Sequence, residues 1–194
     1  MKFDRNLGRE LAFKYLGTDD FKDRLDHTEG VAEFAYRVAH RVKSNNPELV
    51  DFDPEFVGFL GYAHDLGYSV ETKKHEVHTI EILVREGISE DVARRAMHGQ
   101  LVEQFGEQEG NVDQYMPIGL DGMVLTYADM SVRKGDPVPV RERAAEIVSR
   151  VQGFKISDDV KQDIIDNLDK ALPRFERYER NILALAGVNT VGEF

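Results

Sequence analysis

Apolar positions in this chain recur every three or four residues almost throughout, and no stretch alternates residue by residue as a half-buried strand would. Val31, Phe34, Ala35, Val38 and Val42 line one face of a helix predicted from about Phe21 to Ser44, opened by the capping residues of "GTDD". The polar stretch "SNNPELVDFDP" ends it. A second helix is predicted over about Glu55 to Leu66, stopping at Gly67, a residue suited to the left-handed position after a helix. A third runs from about Thr72 to Arg85, and Ser89 caps a fourth through "EDVARRAMHG". From Gly106 to Gly119 the periodicity is lost, which predicts an irregular loop able to act as a lid. Helices follow over "DGMVLTYADMSVRK", "RERAAEIVSRV" and "SDDVKQDIIDNLDKAL", with Pro173 kinking or restarting the last. The pattern predicts an all-α helical bundle forming a single domain over residues 1–194.

Composition narrows the partners. A hydrophobic fraction of 41% is enough for a real core at 194 residues. The formal net charge of -11 argues against nucleic acid or an anionic membrane as a partner, since phosphate backbones need clustered Lys and Arg. It also means that a phosphorylated substrate requires a local cluster of cations. The chain has no cysteine, which excludes disulfides, thiolate metal sites and a cysteine nucleophile. "MKFDRNLGRE" lacks the apolar region of a signal segment, and no run has the length of a bilayer span. A cytoplasmic location is the expectation.

Against this background the stretch "GYAHDLGYS" stands out. His64 and Asp65 lie in an apolar run, where both are costly without partners. Asp65 also closes a helix at the end where the macrodipole disfavours a carboxylate, which points to a nearby cation. His27 shares its face with Val31, Phe34 and Val38 and looks inward, whereas His40 falls beside Arg37, Arg41 and Ser44 and is expected at the surface. His75 and His78 sit three apart on the third helix, and Ile82 continues from His78. "HEVH" lacks the four-residue spacing of the zinc-protease helix. His98 is followed by Leu101, Val102 and Phe105 at helical spacing, and Asp129 sits inside the apolar "LTYADMSV". One divalent cation would satisfy these inward histidines and carboxylates together; the donor set suits Zn, Fe, Mn, Co or Ni, with Mg as a further option.

His27 in "DHTEGVAEFAYRVA", His64 and Asp65 in "AHDLG", and Asp129 in "LTYADM" give the order H…HD…D, which resembles the HD-domain superfamily of metal-dependent phosphohydrolases. The motifs extend from about Arg24 to Lys134, with the C-terminal helices of about 140–186 packed on that core. The resemblance implies His27, His64, Asp65 and Asp129 as ligands of a principal metal, with the His64–Asp65 pair at the catalytic centre. His78 and His98 match the additional ligands of relatives that bind two metals, with Asp65 bridging, and His75 is implied either to support a ligand or to contact phosphate. The six-ligand pattern is similar to the subgroup of dinucleoside tetraphosphate hydrolases and HD-GYP phosphodiesterases, but the GYP signature is absent. The lysine of "HDIGK" in many relatives is replaced in "HDLGYS", where Tyr68 or Ser69 offers only a neutral donor.

The implied function is hydrolysis of a phosphoester or phosphoanhydride of a nucleotide or small phosphorylated metabolite, using one or two divalent ions. Arg133, Arg94 and His75 are the candidate substrate contacts, and Arg133 and Arg94 each have an equally simple role in pairing an acidic neighbour. Two other functions fit the same scaffold: a di-iron oxygenase, and a non-catalytic nucleotide or metal sensor.

Overall fold

The computed structural model describes residues 2–100, 102–103 and 110–194. It opens with a helix absent from the expectation above, α1 (Arg5–Leu16), started by the Asp4 carboxylate accepting from the backbone N–H groups of Asn6 and Leu7. Its many charges mask a buried stripe of Leu11, Ala12 and Leu16. The long helix α2 (Lys22–Asn45) buries the expected face, including Val31, Phe34, Ala35, Val38 and Val42.

Asp53 caps α3 (Pro54–Ala63), and Pro54 occupies the first turn, where its missing N–H costs nothing. Helices α2 and α3 approach closely because Gly61 has no side chain: a Cβ there would lie 2.5 Å from Ala32 Cα. Helix α3 ends at Ala63, before the predicted Leu66, and His64 and Asp65 lead into a 3-10 turn over Leu66–Ser69. Gly67 is not a left-handed terminator. It allows this turn to press on the next helix, since a Cβ would sit 1.9 Å from the His75 carbonyl oxygen.

Helix α4 (His75–Arg85) begins later than the predicted Thr72, and the short α5 (Glu90–Ala93) follows Ser89, whose side chain makes no capping bond. A 3-10 turn over Arg94–Ala96 and an extended Met97 then carry the chain out of helix. His98 therefore lies on irregular backbone, beside Gly99 at φ +76°. Leu101, Phe105 and residues 106–109 of the predicted loop lie outside the described residues. The later part of that loop forms a 3-10 turn, Val112–Tyr115, with Tyr115 buried against Met97 and Val102.

Helix α6 (Gly119–Asp129) ends at Asp129, and the "SVRK" expected to prolong it turns instead into a hairpin. Strands β1 (Val132–Arg133) and β2 (Asp136–Pro137) pair antiparallel, joined by Lys134 and Gly135, both at positive φ. That geometry matches the twist of a two-residue hairpin turn and is too short to leave an alternating pattern in the sequence. Helices α7 (Val140–Gln152) and α8 (Asp158–Ala186) complete the chain; α8 continues through Pro173 and ends at Gly187 in the left-handed conformation.

One apolar core joins the helices. Phe34 of α2 packs at 5.9 Å from Tyr127 of α6 and 5.7 Å from the C-terminal Phe194, measured between ring centroids. Among the described residues, no helix is long and apolar enough to cross a membrane. The core's functional consequence is positional. It holds one end of α3 and one end of α6 against the face of α2 that carries His27.

Candidate metal centre

His27, His64, Asp65, His75, His98 and Asp129 come together from α2, the end of α3, α4, the turn after α5, and the end of α6. His27 Nε2 lies 2.9 Å from Asp129 Oδ1. His64 Nε2 is 3.3 Å from Asp65 Oδ2 and 3.7 Å from Asp129 Oδ1. On the other side of Asp65, His75 Nε2 is 3.5 Å from Oδ1 and 3.4 Å from His98 Nε2. Among the described residues, two groups have donor atoms close enough to enclose an ion: His27, His64 and Asp65, and Asp65, His75 and His98. Asp65 belongs to both.

Backbone carbonyls set the imidazole tautomers. His64 Nδ1 is 2.7 Å from the Gly61 oxygen and His75 Nδ1 is 3.0 Å from the Thr72 oxygen. A carbonyl can only accept, so each Nδ1 carries a proton and each ring points Nε2 inward, where the neutral form offers a lone pair. His64 Nε2 is buried without a hydrogen-bond partner. An inward lone pair beside two carboxylates, and two Nε2 atoms facing one another across Asp65, are what a divalent cation would satisfy. The donor set fits such an ion.

Electrostatics agree. Burial opposes charge on Asp65, but His64, Arg24 and His75 outweigh it and hold the carboxyl well below its usual range. Asp129 is likewise held low despite burial, mainly by His27 and His64. Burial also opposes a proton on His64, yet Asp65 and Asp129 push that group up to about 10 in the absence of metal. Burial dominates at His98, which falls to about 4, and at His75, which also falls. These two rings stay neutral and available as ligands over the ordinary pH range.

The surroundings fix these groups in place. The Thr79 hydroxyl donates to the His64 carbonyl at 3.0 Å and accepts from Gly67 N–H at 2.9 Å, tying the His–Asp turn to α4. Buried Glu76 accepts from the N–H groups of His98 and Gly99, and Thr126 donates to the His98 carbonyl at 2.8 Å. Gln100 Nε2 donates to Asp129 Oδ2 at 2.7 Å.

The placement of His78 differs from the sequence expectation. Its ring lies between Glu81, at 2.8 Å, and Glu71, at 3.3 Å, on the outer side of α4. His75, three residues earlier, holds the inner position instead because it starts the helix directly against the Leu66–Ser69 turn. Arg133 pairs with Glu142 at 2.7 Å, and Arg94 donates to the Gln114 carbonyl at 3.3 Å. Arg133 thus pairs an acidic neighbour, as its simpler reading expects, whereas Arg94 meets a backbone carbonyl. His40 is exposed, as expected.

The cation at the centre is one the sequence reading passed over. Arg24 Nη1 lies 2.8 Å from Asp65 Oδ2, and its guanidinium covers the Tyr68 ring at 3.8 Å from the centroid. The other face of Tyr68 is occupied by His75, stacked at 4.2 Å. Arg24 stands three residues before His27, a spacing that puts both on one helix face, and this was the available signal. Gln100 had none, because it follows a turn the periodicity did not predict.

A family model described as the HD domain matches residues 24–171. It runs past the motifs ending at Lys134 and takes in α7 and the first part of α8. Searches of the curated proteins and of the solved structures each gave no match. The matched segment begins at Arg24, the residue bound to Asp65, and covers most of the chain, so the protein belongs to the HD-domain family, a superfamily of metal-dependent phosphohydrolases.

Proposed function

We propose that this protein hydrolyses a phosphoester or phosphoanhydride of a nucleotide or other small phosphorylated metabolite, at a centre of one or two divalent ions. His27, His64, Asp65 and Asp129 would hold the principal ion, and His75 and His98, with Asp65 shared, a second. The observation that carries this reading is the sharing of Asp65 between two clusters of inward donors, with His64 Nε2 buried without a hydrogen bond beside two carboxylates. The chemistry a bound divalent ion supplies is a water acidic enough to attack phosphorus near neutral pH, together with neutralisation of charge on the phosphoryl oxygens.

The chain's residues prepare that chemistry. The Gly61 and Thr72 carbonyls keep His64 and His75 in the tautomer that leaves Nε2 free. Arg24 fixes the orientation of Asp65 and adds a positive charge where a phosphoryl group would accumulate negative charge. Tyr68, between Arg24 and His75, fills the side of the centre with an aromatic wall. Its hydroxyl is kept neutral, chiefly by burial and then by Asp65. Tyr68 thus takes part by packing, where the sequence suggested only a hydrogen-bond donor in place of lysine.

A screen of nucleotides and small phosphate esters with Mn, Co, Ni, Fe and Mg, beside elemental analysis of protein purified without chelator, tests this function. Metal-dependent release of phosphate or a nucleotide, abolished in Asp65→Ala, is the expected result. Bound iron with turnover that consumes oxygen and releases no phosphate would contradict it and favour the oxygenase.

A further inference from the structure

The chain at His98 is held by side chains, and one of them comes from a helix that supplies none of the six residues of the centre. All four backbone polar groups of His98 and Gly99 are met in this way. Both N–H groups donate to Glu76 Oε2, at 3.1 and 3.0 Å, and the His98 carbonyl accepts from Thr126. The Gly99 carbonyl accepts from Arg174 Nη2 at 2.6 Å. Glu76 belongs to α4, which carries His75, and Thr126 to α6, which ends at Asp129. Arg174 belongs to α8 and stands three residues beyond the segment matched by the family model.

Arg174 is held in one direction. Its side chain is 9% exposed, and its guanidinium makes a two-pronged pair with Glu103, Nε to Oε1 at 2.9 Å and Nη2 to Oε2 at 2.6 Å. The rings of Phe175 and Tyr178 flank it, with centroids 4.6 and 5.9 Å from Cζ. A buried pair of this kind adds little stability over apolar side chains of similar volume, and here Nη1 is also buried without a hydrogen bond. What the pair does supply is a fixed donor for one carbonyl. Gly99 permits the close approach: it sits at φ +76°, and a Cβ there would lie 3.0 Å from Arg174 Nη1 and 2.9 Å from Pro117. The residues on either side of Gly99 reach both halves of the centre. His98 Nε2 is 3.4 Å from His75 Nε2, and Gln100 Nε2 donates to Asp129 Oδ2 at 2.7 Å.

We propose that Arg174 is a positioning residue for His98, and that α8 through it governs occupancy of the ion held by Asp65, His75 and His98. The principal ion, held by His27, His64, Asp65 and Asp129, does not depend on it, because His98 is not among its ligands. Gln100 touches that set only at Asp129 Oδ2, whereas His27 and His64 face Oδ1. This rests on the two-ion form of the metal-centre reading and adds the element that decides between one ion and two.

Calorimetric titration of Mn into the metal-free full chain, with elemental analysis of the loaded protein, tests this. The unaltered protein is expected to take up two Mn ions. Arg174→Gln is expected to weaken one of them about 10–100-fold, the usual effect of losing a group that orients a ligand, and to leave the other unchanged. His98→Ala should lose that same ion, and adding Arg174→Gln to His98→Ala should weaken Mn binding no further, because the arginine acts through the histidine. Arg174→Lys, which keeps a charged donor without the planar fork, is expected to fall between, and it decides the matter if Arg174→Gln does not fold. Arg177→Gln, at an exposed position on the same helix, is the control and should match the unaltered protein. Equal weakening of both ions, or a further loss on adding Arg174→Gln to His98→Ala, would mean that Arg174 serves the fold in general and overturns the proposal. Arg174→Gln with both affinities intact overturns it while the two-ion centre stands. An unaltered chain that takes up a single Mn overturns it together with the two-ion form, and one that takes up none overturns the metal centre as well.

Discussion

Replacing His75 with alanine is expected to lower bound metal, and His78→Ala to leave it unchanged. The two residues differ by three positions on α4, yet His75 Nε2 faces Asp65 and His98 while His78 is engaged by Glu81 and Glu71 on the outer side. Elemental analysis of the two variants reads this directly; equal metal loss in both, or a loss confined to His78→Ala, would contradict the placement. The same measurement should show His64→Ala and Asp65→Ala losing metal and activity together, with His40→Ala resembling the unaltered protein. Position-by-position logic picked out His27, His64, Asp65 and Asp129 as polar groups on apolar faces, and His98 through a helical spacing that the irregular chain there does not keep. It could not separate His75 from His78, because which of them looks inward depends on where α4 starts. That start is set by contact with the Leu66–Ser69 turn, through the close approach of Gly67 to the His75 carbonyl.

At the scale of elements, the site is a product of how α3 and α4 end and begin. Gly67→Ala would place a methyl group 1.9 Å from the His75 carbonyl oxygen, a clash with backbone that no side-chain rotation relieves. The expected cost is about 1–3 kcal/mol or more, the usual range for overpacking. Thermal unfolding should show it, together with weakened metal binding, because both His64 and His75 are on the displaced segments. An unchanged melting temperature would mean that the contact is not what sets the turn. Thr79→Val keeps the shape but removes the hydroxyl joining Gly67 N–H to the His64 carbonyl. Metal affinity is expected to fall about 10–100-fold, the usual effect of losing a group that orients a ligand. Long amphipathic elements such as α2 were legible in the apolar spacing. The hairpin, the early end of α3 and the irregular chain at His98 were not, since each is decided by a tertiary contact or a two-residue turn. Helix α1 was present in the sequence as an Asp4 cap followed by Leu7, Leu11 and Ala12, but its charged surface hid the pattern.

For the whole molecule, the pH dependence of stability should change with metal. In the metal-free protein His64 is raised from 6.5 to about 10, so it contributes stability fully below 6.5 that is lost as pH climbs toward about 10. His98 is lowered from 6.5 to about 4, and its unfolded form takes up a proton first as pH falls, so stability is also lost on the way down to about 4. Asp65 and Asp129, held well below 3.8, give up their contribution only at still lower pH. The metal-free protein is therefore expected to melt highest near pH 6.5. A bound cation takes the place of the His64 proton and should flatten the alkaline side of the curve. Melting temperatures recorded with chelator and with Mn across this range would show it, and an alkaline decline that Mn leaves unchanged would contradict it. The overall acidity, which made a phosphorylated substrate look ill-suited to this chain, is offset locally by Arg24 and by the cation-binding centre itself. Net charge gives the average field, and only the fold reveals where that field reverses.

The central claim is that imidazoles and carboxylates from distant parts of the chain enclose a divalent ion at Asp65. Anomalous diffraction from crystals of Mn-loaded protein tests it most directly. A peak is expected in coordinating reach of His64 Nε2 and Asp65, with a second, where two ions bind, on the side of His75 and His98. A fully loaded crystal whose anomalous signal lies elsewhere, with His64 Nε2 facing no ion, would contradict it.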